Sequence, residues 1–143
     1  MSKRLSSILF LLIPLFAFGQ LQNPAKWTYT VENGSGDERT LCFNVKLDAG
    51  WHLYSQFTPD GGPLPMVYTF EAGECYKLIG KVTEPKAHED YDSTFMIKVL
   101  LFEKSATFRQ KVKLKGGNCV IKGKVEYQVC KESCIFQEDR KST

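Results

Sequence analysis

Val125 to Phe136, VEYQVCKESCIF, is the stretch on which the fold turns. Val125, Tyr127 and Val129 alternate with Glu126 and Gln128, the period of two that marks a strand with one dry and one wet face. Cys130 continues the wet face, and the polar tripeptide Lys131-Glu132-Ser133 separates it from Cys134. The same alternation runs upstream through Cys119, Ile121 and Gly123, with Lys122 and Lys124 opposite, so a long strand delivers a close thiol pair to its own end.

The rest of the chain repeats this period. Lys26 to Val31 is aromatic and β-branched; Leu41, Phe43, Val45 and Leu47 face one way while Cys42, Asn44 and Lys46 face the other. Trp51 to Phe57, Met66 to Phe70 and Tyr76 to Val82 read as further short strands. Phe95 to Phe102 and Ala106 to Leu114 read as two more, joined in hairpin fashion at Glu103-Lys104-Ser105. Ala106, Phe108, Gln110, Val112 and Leu114 form the dry face of the second, and its Lys- and Arg-bearing face reads as solvated. Thr58 to Pro65, TPDGGPLP, cannot sit inside a sheet, and Thr83 to Thr94 is a polar, acid-rich loop whose large apolar group is Tyr91. The tail from Glu138 is expected to fray. Seven to nine short strands, glycine- and proline-rich turns and no helical repeat predict an all-β fold, a β-sandwich ahead of a closed barrel.

Residues 1–19 read as a signal peptide: Lys3 and Arg4 lead an apolar run, and Ala17-Phe18-Gly19 offers small residues before a cut at Gln20. Residues 20–143 then form a single domain, too short for two cores. Loss of Lys3 and Arg4 lowers the formal charge from +3 to +1, and so neutral a surface argues against nucleic acid as a partner. All five cysteines lie in the exported part, where disulfides persist. The odd number leaves one thiol over. The histidines, His52 and His88, are far from the CxxxC pair in sequence, and nothing has the two-pair spacing of a structural zinc site. No glycine fingerprint, phosphate loop or nucleophile elbow implies an organic cofactor.

Two uses remain open for Cys130 and Cys134 on their own residues. A redox pair exchanges with a partner's disulfide through a mixed disulfide that the second thiol resolves. A staple only stabilises, and one closing so small a loop removes little unfolded-state entropy. Cys119, on an apolar strand face, reads as a buried thiol, and a Cys42–Cys75 bond is the alternative pairing among the rest.

AGWHLYSQ (Ala49 to Gln56), GGPLP (Gly61 to Pro65), YKLIGKVTEPKAHEDYDSTF (Tyr76 to Phe95), ATFRQKV (Ala106 to Val112) and VEYQVCKESC (Val125 to Cys134) occur in this order. Together they resemble the N-terminal periplasmic domain of the thiol:disulfide interchange protein DsbD, over nearly the whole exported chain. The resemblance implies an immunoglobulin-like β-sandwich and an interchange component or protein-disulfide reductase that needs no metal or cofactor. Its partners would be thioredoxin-like proteins or periplasmic disulfide isomerases. It implies that Cys130 and Cys134 are the exchanging thiols, with Cys134 the attacker on an incoming disulfide. It also implies a cap loop at His88 to Thr94, with Tyr91 as shield and Glu89, Asp90 and Asp92 as neighbours that tune the thiols. His52 and Tyr54 match positions where the family sets aromatic residues beside its cysteines. The chain departs from the family in a shorter cysteine spacing and in Ile135-Phe136-Gln137, which replaces a proline-rich continuation. It also carries no membrane or thioredoxin-like domain, so electrons would come from a separate membrane donor. The rival expectation is a binding or accessory sandwich in which the same disulfide is only structural.

Overall fold

The computed structural model describes residues 22–143; the expected signal peptide, residues 1–19, lies outside them. The described residues form ten strands: β1 (Ala25–Asn33), β2 (Glu38–Leu47), β3 (His52–Tyr54), β4 (Val67–Phe70), β5 (Tyr76–Thr83), β6 (His88–Asp92), β7 (Ile97–Glu103), β8 (Ser105–Leu114), β9 (Lys122–Cys130) and β10 (Cys134–Ser142). They make two antiparallel sheets, β1-β2-β8-β5 and β10-β9-β3-β7-β6, with β4 also paired to β9. This is the immunoglobulin-like β-sandwich that the alternation and the resemblance lead one to expect.

The dry faces meet in one core: Val45, Leu47, Val82, Ala106 and Phe108 come from the first sheet, and Leu53, Phe102, Val125, Tyr127 and Val129 from the second. Phe108 is fully buried and touches Phe102 edge-to-face across the sandwich, ring centroids 5.1 Å apart. Burying a side chain of this size contributes about 1.5–3 kcal/mol. Gln110, expected on the same face, is also buried. Its amide donates to the carbonyls of Ile79 and Gly80, where β5 breaks register against β8.

Three local expectations are corrected. β7 and β8 are not a hairpin: β7 pairs with β3 and β6, while β8 pairs with β2 and β5. Lys104, in the left-handed region at φ 61°, turns the chain sharply from one sheet to the other, which lets Phe102 and Phe108 face each other. The acidic loop contains an edge strand, β6. Its charges suit an unpaired edge, which charged side chains protect from further pairing. The tail does not fray, because β10 pairs with β9 along its whole length and Tyr29 of β1 donates a hydrogen bond to Asp139 of β10.

Cys75 and Cys119 are joined by a disulfide across 44 residues, so Cys119 is not a free thiol, and Cys42 is the buried free cysteine. This bond ties the start of β5 to the connection between β8 and β9. By loop entropy, opening it should cost about 4 kcal/mol, against about 2 kcal/mol for a bond spanning four residues. Urea unfolding of Cys75→Ser/Cys119→Ser should therefore show a larger loss of stability than Cys130→Ser/Cys134→Ser. The reverse order would contradict this division between the two bonds.

Candidate active site

Val129 points into the core, so the next residue of β9 must point outward, and Cys130 does. It is nevertheless buried, with 3% of its surface exposed. Tyr54 of β3 and Val99 and Leu101 of β7 form a small apolar cluster with it on the outer face of the larger sheet, and Ile97 packs against that cluster. After three turn residues, Cys134 opens β10 directly opposite Cys130. Their Cα atoms are 4.1 Å apart and their sulfurs are bonded. Cys134 is exposed. One disulfide thus joins a covered sulfur to an open one.

The register continues this row across the sheet. Cys134 faces Cys130, Cys130 faces His52 of β3, and His52 faces Glu103 of β7. Directly opposed residues in an antiparallel pair project from the same face with Cβ atoms about 4.5–5.5 Å apart, so four strands align these side chains. His52 Nε2 lies 3.0 Å from the Tyr54 hydroxyl, with the two rings edge-to-face. Burial holds the His52 pKa below its ordinary value of 6.5, outweighing the opposing pull of Glu103, Asp92 and Asp90. Burial, reinforced by Asp92 and Asp90, raises the pKa of Tyr54 and keeps its hydroxyl protonated.

The segment His88 to Thr94 borders the site, but its residues divide between two faces. Asp90 opposes Val99 and Asp92 opposes Ile97, which places both aspartates on the face of Cys130. Tyr91 opposes Lys98 and Glu89 opposes Leu100, so both belong to the other face. Glu89 is ion-paired with Lys98 at 2.8 Å, and Tyr91 is 59% exposed. The register therefore does not bring Tyr91 to the disulfide; Tyr54, Val99 and Leu101 cover Cys130 instead. Asp92 also accepts hydrogen bonds from the backbone N–H groups of Thr94 and Phe95, shaping the turn into β7. Glu103 and the apolar cover were missed in the sequence. Glu103 reads there as a turn residue, and only strand pairing reveals its row.

The turn itself is plain. Lys131 N–H donates to the Ser133 carbonyl at 3.1 Å. The Lys131 side chain crosses the Asp48–Trp51 turn, its Cε 3.1 Å from where a Cβ at Gly50 would stand. Phe136 shares a face with Cys134, is exposed, and opposes Gln128, whose side-chain amide oxygen accepts from Leu64 N–H. Among the described residues, no three His, Cys, Asp or Glu side chains are placed to hold a metal ion.

The profile of the family described as "Thiol:disulfide interchange protein DsbD, N-terminal" matches residues 20–143. The chain belongs to this DsbD N-terminal family. Solved structures share its fold. The N-terminal periplasmic domain of ScsB from Proteus mirabilis superposes with a TM-score of 0.64 at 15% identity, over 85% of this chain and 46% of that one. The chain thus spans about half the length of that relative. The complex between the DsbD N-terminal and PilB N-terminal domains from Neisseria meningitidis gives a TM-score of 0.53 at 16% identity, covering 85% of this chain and 87% of that one. No curated protein matches the sequence.

The depressed His52 pKa makes a prediction about this DsbD-type domain. The folded state binds that proton more weakly than the unfolded chain, so the stability linked to His52 is full above about pH 6.5 and is lost as the pH falls through the lowered value. His52→Gln should flatten the fall in unfolding free energy as the pH drops below about 6.5. An unchanged slope would show that His52 is not buried in its neutral form.

Proposed function

We propose that this protein is an exported thiol–disulfide exchange domain that carries two electrons between thioredoxin-fold proteins through Cys130 and Cys134. The observation that carries the proposal is the asymmetry of the bond, a buried Cys130 joined to an exposed Cys134. Membership in an interchange family supports the chemistry. The similar structure in which a DsbD N-terminal domain is in complex with a PilB N-terminal domain supports direct docking of a partner domain.

In the accepting half-reaction, a thiolate of the reduced donor attacks the Cys134 sulfur, the open end of the bond. The electron pair of the broken bond leaves on Cys130, which takes up a proton. The donor's second thiolate then attacks the mixed disulfide, so the donor departs oxidised and the domain holds two thiols. The donating half-reaction reverses these roles. The Cys134 thiolate attacks the acceptor's disulfide, and Cys130 displaces the acceptor as a dithiol while the Cys130–Cys134 bond re-forms. Cys134 is the sulfur that meets partners and Cys130 the one that releases them.

The signal-like residues 1–19 support export of the single domain, residues 20–143, to the periplasm or outside the cell. The electrons come from a separate membrane donor and pass to thioredoxin-like proteins or disulfide isomerases. Asp90, Asp92 and Glu103 oppose the build-up of negative charge near the pair, and His52 and Tyr54 form its polar wall. The Cys75–Cys119 bond already supplies the domain with a long-range staple, which leaves the short bond free to open.

Trapping tests this directly. Cys130→Ser should accumulate a covalent adduct through Cys134 when mixed with a thioredoxin-fold protein that lacks its resolving cysteine and carries thionitrobenzoate on its attacking sulfur, the thionitrobenzoate leaving as a thiolate, and Cys134→Ser should give at least about tenfold less. Equal trapping, or none with either variant, would contradict the exchange role.

A further inference from the structure

We propose that His52 is the general base for the resolving step, taking the proton of Cys130 as that thiol attacks a mixed disulfide held on Cys134. This rests on the exchange reading above and adds a residue to it. The need for a base follows from where Cys130 lies. Once the bond is open, Cys130 is a thiol packed among Tyr54, Val99 and Leu101, and an apolar setting disfavours its thiolate. The imidazole of His52 is its cross-strand neighbour, and Glu103 lies on the far side of that imidazole, one strand too far to take the proton itself.

The ring is prepared for the task. The Tyr54 hydroxyl lies 3.0 Å from Nε2. In the tautomer able to act as base, Nε2–H donates to this hydroxyl and Nδ1 keeps a free lone pair. Burial keeps the imidazole neutral before the reaction. Afterwards the imidazolium lies beside Glu103 along the row and near Asp92 and Asp90 of β6, which stabilise its charge. The other titratable groups bordering this face are His88 of β6, which opposes Leu101 of β7, and Lys131 and Glu132 in the exposed turn. Lys131 is drawn over the Gly50 turn.

The step balances as follows. The Cys130 S–H bond breaks and its proton moves to Nδ1. The Cys130 sulfur forms a bond to the Cys134 sulfur, the bond from Cys134 to the partner's sulfur breaks, and the partner leaves as a thiolate. His52 then returns its proton to solvent or to that thiolate. In the opposite direction the imidazolium protonates Cys130 as it is expelled.

The test uses the reduced protein and dithiobis-nitrobenzoate, an aromatic disulfide whose thiolate product absorbs visible light. A first release of that product reports attack by Cys134, and a second reports closure by Cys130, with no partner protein needed. In the wild type the second rate should follow a titration with its midpoint below 6.5, the ordinary value, and should change little above it. In His52→Gln it should be about 100-fold slower near neutral pH and climb only toward the thiol range, about pH 8.5. The first release should keep its rate. His52→Phe should behave likewise while keeping a ring on β3, so a folding defect in one variant does not decide the matter. Closure by both variants with the wild-type rate and pH profile would overturn the assignment of His52 alone. Absence of any second release in the wild type would overturn the exchange reading itself.

Discussion

Everything chemical in this domain depends on the two-residue period of β9. With Val125, Tyr127 and Val129 committed to the sandwich core, the following residue has to emerge on the outer face. A sulfur there would be open to solvent if the outer face were bare. Instead β3 and β7 put Tyr54, Val99 and Leu101 around it, forming a second, smaller core on the wrong side of the sheet. The tight turn at 131–133 then sets Cys134 opposite at the rim, beyond that cover. Difference in burial, rather than any difference in the two residues, is what distinguishes the sulfurs.

The same row explains how charge is managed. A buried cysteine sulfur, a half-buried imidazole and a carboxylate are laid across three adjacent strands in register, with the Tyr54 hydroxyl at the ring's Nε2. A sheet is well suited to such an array, because pairing fixes neighbours at about 5 Å without relying on flexible loops. The cost is that carboxylates placed to welcome an imidazolium also disfavour a thiolate. His52 standing between Glu103 and Cys130 lessens that conflict.

Much of this was legible in the chain. Clean alternation in β2, β8 and β9 exposes both the sandwich and the faces of Leu41, Phe108, Gln110 and Val125, since a residue facing a core and one facing water differ sharply in polarity. The CxxxC spacing with its polar centre pointed to the pair. What was hidden falls at edges and across strands. β6 and β10 carry charges because an edge has no partner, so neither shows an apolar stripe. The β7–β8 corner looks like a hairpin in sequence because a single residue in the left-handed region is as short as a turn. The Cys75–Cys119 bond and the Cys130–His52–Glu103 row join residues distant in sequence, which no local period encodes. Tyr91 stands out in sequence as the large apolar group of its loop, yet strand alternation turns it to the face opposite Asp90 and Asp92.

The central claim, that burial alone assigns the two sulfurs their roles, is tested most directly by timed alkylation of the fully reduced, folded domain with peptide mapping by mass spectrometry. Cys134 should be modified at least about tenfold faster than Cys130 near neutral pH, and the two rates should converge in denaturant. Equal rates in the folded protein, or faster modification of Cys130, would contradict the account.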